Sequence, residues 1–166
     1  MTITFIQTGG TIDKDYLGKV GSYNFSIDEP AVKRVLARID LSFEYEVLSC
    51  MKKDSLDMTN EDRIRIKKMC ETVKGNRIII THGTDTMVQT AKVLSPVKGK
   101  TIVLTGSMLP ERFKGSDADF NLGVAVGAVA SLGEGVYIAM GGRIFRWDNV
   151  EKHKVTGQFI ELVKKV

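Results

Sequence analysis

The order of patterns along this chain predicts an α/β protein built on an open, doubly wound parallel sheet with helices on both faces. Three observations carry that reading. Short runs rich in Ile, Val and Thr alternate with stretches of helical periodicity. The runs are almost continuously apolar, as in strands buried on both faces. A polar segment follows each run: TGGT, KKDSLD, THGTDT, TGSM and GGR, in that order. In an open parallel sheet such segments crowd along the carboxyl edge of the strands, where ligands bind.

Taken in turn, Ile3–Gln7 is the first expected strand. A helix is expected over Glu29–Ile39, where Val32, Val35, Leu36 and Ile39 form one stripe, Asp28 is placed to cap it and Pro30 suits its first turn. Phe43–Leu48 reads as the second strand and Thr59–Val73 as a helix opened by a Thr59/Asp62 capping box. Ile78–Ile80 is a buried strand, with a helix through Val93 after THGTDT. Thr101–Leu104 and Val136–Met140 are the remaining strands, separated by a small-residue helix over Asp119–Ser131. The stretch after Gly142, RIFRWDNVEKHKVTG, fits no helix and is expected as an arm or hairpin.

Bulk properties narrow the class. A chain of 166 residues, 43% apolar and 27% charged, suits one domain over 1–166 with a core of its own. The net charge of +4 is scattered, which does not argue for a nucleic-acid partner. Cys50 and Cys70 are too few for a disulfide framework, and the two histidines are isolated, so no metal site is expected. There is no signal-peptide pattern at Met1 and no apolar run of membrane length. A cytoplasmic protein that does not bind membranes is the expectation.

Two glycine-threonine segments could carry chemistry. In TGGTI, Gly9 and Gly10 allow close backbone approach and Thr11 stands at a strand end; a plain glycine turn is the competing account. The pattern is neither a dinucleotide fingerprint nor a P-loop. In THGTDTM, Thr84 or Asp85 would suit a helix N-cap, yet capping explains only one of His82, Gly83, Thr84 and Asp85. A carboxylate there can hold an ammonium group and loop amides an oxyanion. His82 is read as a packing residue before a base. In KDSLDM, Ser55 beside free amides can bind a carboxylate. Phe145 and Trp147, beside Arg143 and Arg146, are read as interface or arm packing before base stacking.

TGGTI, DSLDM and ITHGTDTM, in that order and spacing, with TGSMLP and Phe120–Leu122 further on, resemble the bacterial asparaginase family. The resemblance spans essentially the whole chain. It implies a flavodoxin- or Rossmann-like three-layer domain equivalent to the N-terminal domain of longer members. It implies an amidohydrolase that converts L-asparagine to L-aspartate and ammonia without a cofactor. Thr11 matches the nucleophile. Thr84 and Asp85 match a second cluster, with Asp85 on the substrate ammonium, and Lys152 matches the lysine that partners Thr84. Ser55 matches the group on the substrate carboxylate; Gly10, Asp54 and Gly83 complete the expected binding set. The tyrosine partner of Thr11 is Tyr16 or Tyr23, with Tyr16 favoured because a loop of that length can fold back. A threonine hydroxyl needs such a neighbour, a phenol or a lysine held close, to take its proton.

Two departures stand out. Longer members carry a second domain, and one from a neighbouring subunit completes each site; a homodimer or homotetramer is therefore expected here. Leu56 stands where many members have a polar residue, which leaves the ammonium to Asp85. The competing functional class is a catalytically weak amino-acid-binding or regulatory protein on the same domain. An amidotransferase component acting on aminoacyl-tRNA would need a tRNA-binding region besides.

Overall fold

A computed structural model describes residues 1–16 and 25–162. β1 (Thr2–Gly9) leads into a 3-10 turn (Thr11–Asp13), β2 (Lys14–Tyr16), β3 (Phe25–Ile27), α1 (Ala31–Leu36) and β4 (Glu44–Lys53). A second 3-10 turn (Ser55–Asp57), α2 (Asn60–Thr72), β5 (Arg77–Thr81), α3 (Met87–Leu94) and β6 (Thr101–Thr105) follow. α4 (Ala118–Ser131), β7 (Gly135–Met140), β8 (Arg143–Arg146), β9 (Glu151–Lys152) and β10 (Phe159–Ile160) complete the order.

The main sheet runs β4-β1-β5-β6-β7-β8. β4, β1, β5, β6 and β7 are mutually parallel, and β8 pairs antiparallel with β7. The parallel expectation is thus corrected at one edge. Gly141 and Gly142, with φ of 60° and 79°, reverse the chain in two residues, a tight turn that only an antiparallel neighbour can use.

Side chains alternate across the sheet. On β5, Ile78 and Ile80 join α2 and α3 in one core, while Ile79 joins α1 and α4 in the other. Helices therefore cover both faces, the expected three layers. The capping box of α2 is present in both directions, with Asp62 N–H on Thr59 Oγ1 at 3.2 Å and Thr59 N–H on the Asp62 carboxylate at 2.9 Å.

α1 departs from expectation. It is shorter than Glu29–Ile39, with Pro30 as its N-cap residue. The carboxylate accepting its first N–H, from Ala31 at 2.7 Å, is Asp13 rather than Asp28. Ile39 lies beyond the helix and is 53% exposed. β4 continues to Lys53, past the expected end at Leu48, and so delivers DSLD to the carboxyl edge.

The arm after Gly142 is β8 followed by a β9–β10 hairpin. Phe145 is buried in the α2/α3 core and Trp147, partly buried, packs against that core; Ile144 stays 43% exposed.

β1 and β5 are neighbours, yet the chain leaves β1 for β4 on one side and β5 for β6 on the other. That divergence opens a crevice at their carboxyl ends.

Candidate active site

Three loops meet at this crevice through their backbones. Gly10 has φ 86° and its N–H donates to the Lys53 carbonyl at 2.9 Å. A β-carbon on Gly10 would overlap the Gly83 backbone, and one on Gly83 would lie 2.6 Å from Ser55 Cβ and Oγ. Only glycine tolerates such contact, so the loops after β1, β4 and β5 close up to van der Waals distance. Thr11 and Thr84 each follow one of the two touching glycines.

On the Thr84 side, Lys152 Nζ donates to Thr84 Oγ1 at 2.9 Å and to Asp85 Oδ1 at 2.7 Å. β9 brings the lysine there. Thr86 is the N-cap residue of α3, and its hydroxyl donates to the Ser55 carbonyl at 2.7 Å. Capping therefore does not account for Thr84 or Asp85.

His82 is wholly buried, with Nδ1 2.7 Å from the Gly83 carbonyl and Nε2 2.8 Å from Thr90 Oγ1. A carbonyl only accepts, so Nδ1 carries the proton and Nε2 accepts from the threonine. Burial pushes the imidazole down to about 4, which keeps it neutral. It braces the turn and is not free to act as a base. Ser55 is fully buried, and its hydroxyl has no partner among the described residues. A cleft of about 660 Å³ borders Asp85, Lys152 and Gln89, and Thr11 is not among its lining residues.

On the other side, Thr11 opens the first 3-10 turn. Charged residues after it anchor that turn: Lys14 pairs with Asp54 at 2.8 Å, and Asp15 with Arg112 at 2.8 Å. The Ile12 carbonyl accepts Glu111 N–H at 3.2 Å. Asp54, expected among the binding residues, is the carboxylate of the Lys14 pair. The Lys14 ammonium holds its carboxyl below the usual range, and its other oxygen accepts Leu56 N–H at 3.2 Å. Lys14 and Arg112 escaped the sequence reading because their partners are distant along the chain.

Tyr16 does not fold back over Thr11. Its ring is 51% exposed, lies 4.3 Å from Phe25 and stacks at 6.5 Å on Phe113. Among the described residues no hydrogen bond joins its hydroxyl to Thr11. Tyr23 falls outside the described residues. Among the described residues no group of three metal-ligating side chains is assembled, and no helix is long and apolar enough to cross a membrane.

A family model described as "Asparaginase, N-terminal" matches residues 2–158. The chain belongs to the asparaginase family. A probable periplasmic L-asparaginase of Haemophilus influenzae is 35% identical over 93% of the chain and 47% of its own length. A glutaminase-asparaginase of Acinetobacter glutaminasificans is 30% identical over 90% of the chain and 49% of its own length. The thermostable L-asparaginase of Thermococcus kodakarensis superposes with a TM-score of 0.84 at 27% identity, covering 98% of the chain and 51% of that protein. The chain thus spans about half the length of the asparaginases it matches.

The cytoplasmic expectation is corrected by these relatives, since the Haemophilus asparaginase is named for the periplasm. The sequence argument failed for a physical reason. A domain of this size buries enough core to be stable without disulfides in either compartment, so a low cysteine count does not separate them.

Proposed function

We propose that the chain is an amidohydrolase that cleaves L-asparagine to L-aspartate and ammonia, with Thr11 as nucleophile. The observation that carries the reading is the Lys152 ammonium shared between Thr84 and Asp85, one glycine contact away from Thr11. A strand-end threonine with a lysine-held threonine and a carboxylate beside it suits attack on the amide of an amino acid.

In this reading Asp85 and the Ser55 hydroxyl, which has no partner among the described residues, grip the substrate ammonium and carboxylate. Thr11 Oγ attacks the side-chain carbonyl carbon, and the hydroxyl proton passes to a neighbouring base. The oxyanion collapses, the base passes that proton to the departing nitrogen, the C–N bond breaks and ammonia leaves. Water then cleaves the aspartyl ester and returns the proton to Thr11. The Haemophilus relative supports the periplasm as the compartment. Assembly as a homodimer or homotetramer belongs to the same reading, with Ile144 among the apolar side chains left exposed.

One observation favours a second reading, an amino-acid-binding protein with little turnover: Tyr16 is stacked on Phe113, away from Thr11. Ammonia release from asparagine, with glutamine in parallel, decides between them. Steady release abolished by Thr11→Ala supports the enzyme. Asparagine binding without release overturns it.

A further inference from the structure

Asp13 closes the turn that Thr11 opens, and it is fully buried. One carboxylate oxygen accepts Ala31 N–H at 2.7 Å, and the other accepts a longer bond from Thr81 Oγ1 at 3.5 Å. Its own N–H donates to the Gly10 carbonyl at 3.2 Å, and its carbonyl accepts Asp28 N–H at 3.3 Å. A single residue thus ties the Thr11 turn to the start of α1 and to Thr81, the last residue of β5. Thr81 leads directly through His82 and Gly83 to Thr84.

Such an arrangement is not what stability alone selects. Burying a carboxylate is unfavourable, and burial pushes Asp13 up to about 6. A charge kept at a cost beside a functional turn points to a geometric duty there.

We propose that Asp13 is a positioning residue that fixes the Thr11 turn against the β5 end, and so sets where the Thr11 hydroxyl stands relative to the Thr84–Lys152 pair. The proposal rests on the reading of Thr11 as nucleophile. Asp13 acts through the backbone of its turn and through Thr81.

The test compares the full chain with Asp13→Ala and Asp13→Asn. kcat and KM for asparagine are measured from pH 5 to 8, beside hydrogen exchange of residues 10–14. Asp13→Ala should lower kcat about tenfold or more with KM nearly unchanged, the mark of a displaced nucleophile. Asparagine at this position still accepts from Ala31 N–H and donates to Thr81, so Asp13→Asn should recover kcat to within about threefold. Any step in the wild-type kcat profile near pH 6 should vanish in Asp13→Asn. The groups facing Asp13 are Gln7 from β1, Thr81 from β5 and Arg34 from α1. Exchange over 10–14 should accelerate in Asp13→Ala and not in Asp13→Asn.

A folded Asp13→Ala with unchanged kcat and unchanged exchange would overturn the proposal, as would a rise in KM at constant kcat. If the wild type releases no ammonia, the amidohydrolase reading fails and the exchange comparison still decides whether Asp13 holds the turn. Where Asp13→Ala fails to fold, Thr81→Val removes the β5 tie alone. Unchanged exchange in that variant overturns the proposal equally.

Discussion

The two threonine-bearing turns are built to different degrees of completion. Around Thr84 every neighbour is in place: Lys152 bonds its hydroxyl, Asp85 shares the lysine and neutral His82 braces the turn from below. Around Thr11 the backbone is fixed as firmly, by Gly10, Lys14 and Asp15, but no side chain among the described residues meets its hydroxyl. The difference teaches that rigidity and readiness are separate properties. On the proposed reading the Thr84 side is assembled without substrate, whereas the Thr11 hydroxyl has no side-chain partner among the described residues.

The largest effect should come from Thr11→Ala. The variant should fold with an unchanged thermal midpoint and lose asparagine hydrolysis by about a thousandfold or more, since no other group can form the ester. Activity retained above a few per cent, on that scale of loss, would mean the incomplete side is not the nucleophilic one.

Lys152→Met should cost about a hundredfold in kcat, and Thr84→Ala a similar amount. The double variant should cost little more than the worse single one, because the two residues act as one unit. Losses that multiply would break the view of that side as pre-assembled.

Each turn also contains a buried titratable group, and the two are shifted in opposite directions. His82 is pushed down from 6.5 to about 4, so the fold favours its neutral form and loses stability as pH falls through that window. Asp13 is pushed up from 3.8 to about 6, so the fold is penalised when it ionises and is relieved as pH falls. Each contribution is about 3 kcal/mol, and they offset one another between those limits. Urea midpoints at pH 7, 5 and 4 should therefore change more steeply in Asp13→Asn than in the wild type. Parallel profiles would show that the two sides are not balanced in this way.

The smallest effect tests how Thr11 gains a partner. Tyr16→Phe should lower kcat about tenfold if the phenol swings off Phe113 during turnover, in keeping with a general base. Phe113→Ala should then change kcat by no more than about fivefold, since an aromatic pair is worth about 1 kcal/mol. No loss in Tyr16→Phe would transfer the role to Tyr23.

What could be read from the sequence was what local chemistry or strand order decides. α2 was legible at its start because its capping box lies within its own first turn. Five apolar runs implied five parallel strands and put TGGT, DSLD and THGTDT on one edge. Features set by distant partners were not legible. α1 is capped by a carboxylate 18 positions earlier, so its start was misjudged. The pairing of Asp54 with Lys14, 40 positions away, could not be read from either segment alone. Tyr16 has the right loop length to reach Thr11, but Phe25 and Phe113 compete for its ring, and no spacing rule reveals that.

The reversal of the chain at Gly141 and Gly142 has a consequence for biosynthesis. The contact between Lys152 and Thr84 spans 68 positions, while the backbone cradle of Gly10, Ser55 and Gly83 uses only the first half of the chain. On the ribosome the residues of the cradle emerge before Lys152 does. Lys152 emerges only after β7 and β8 have been made, because it lies on β9. A chain terminated before Lys152 would therefore carry the glycine-threonine segments without the lysine that bonds Thr84.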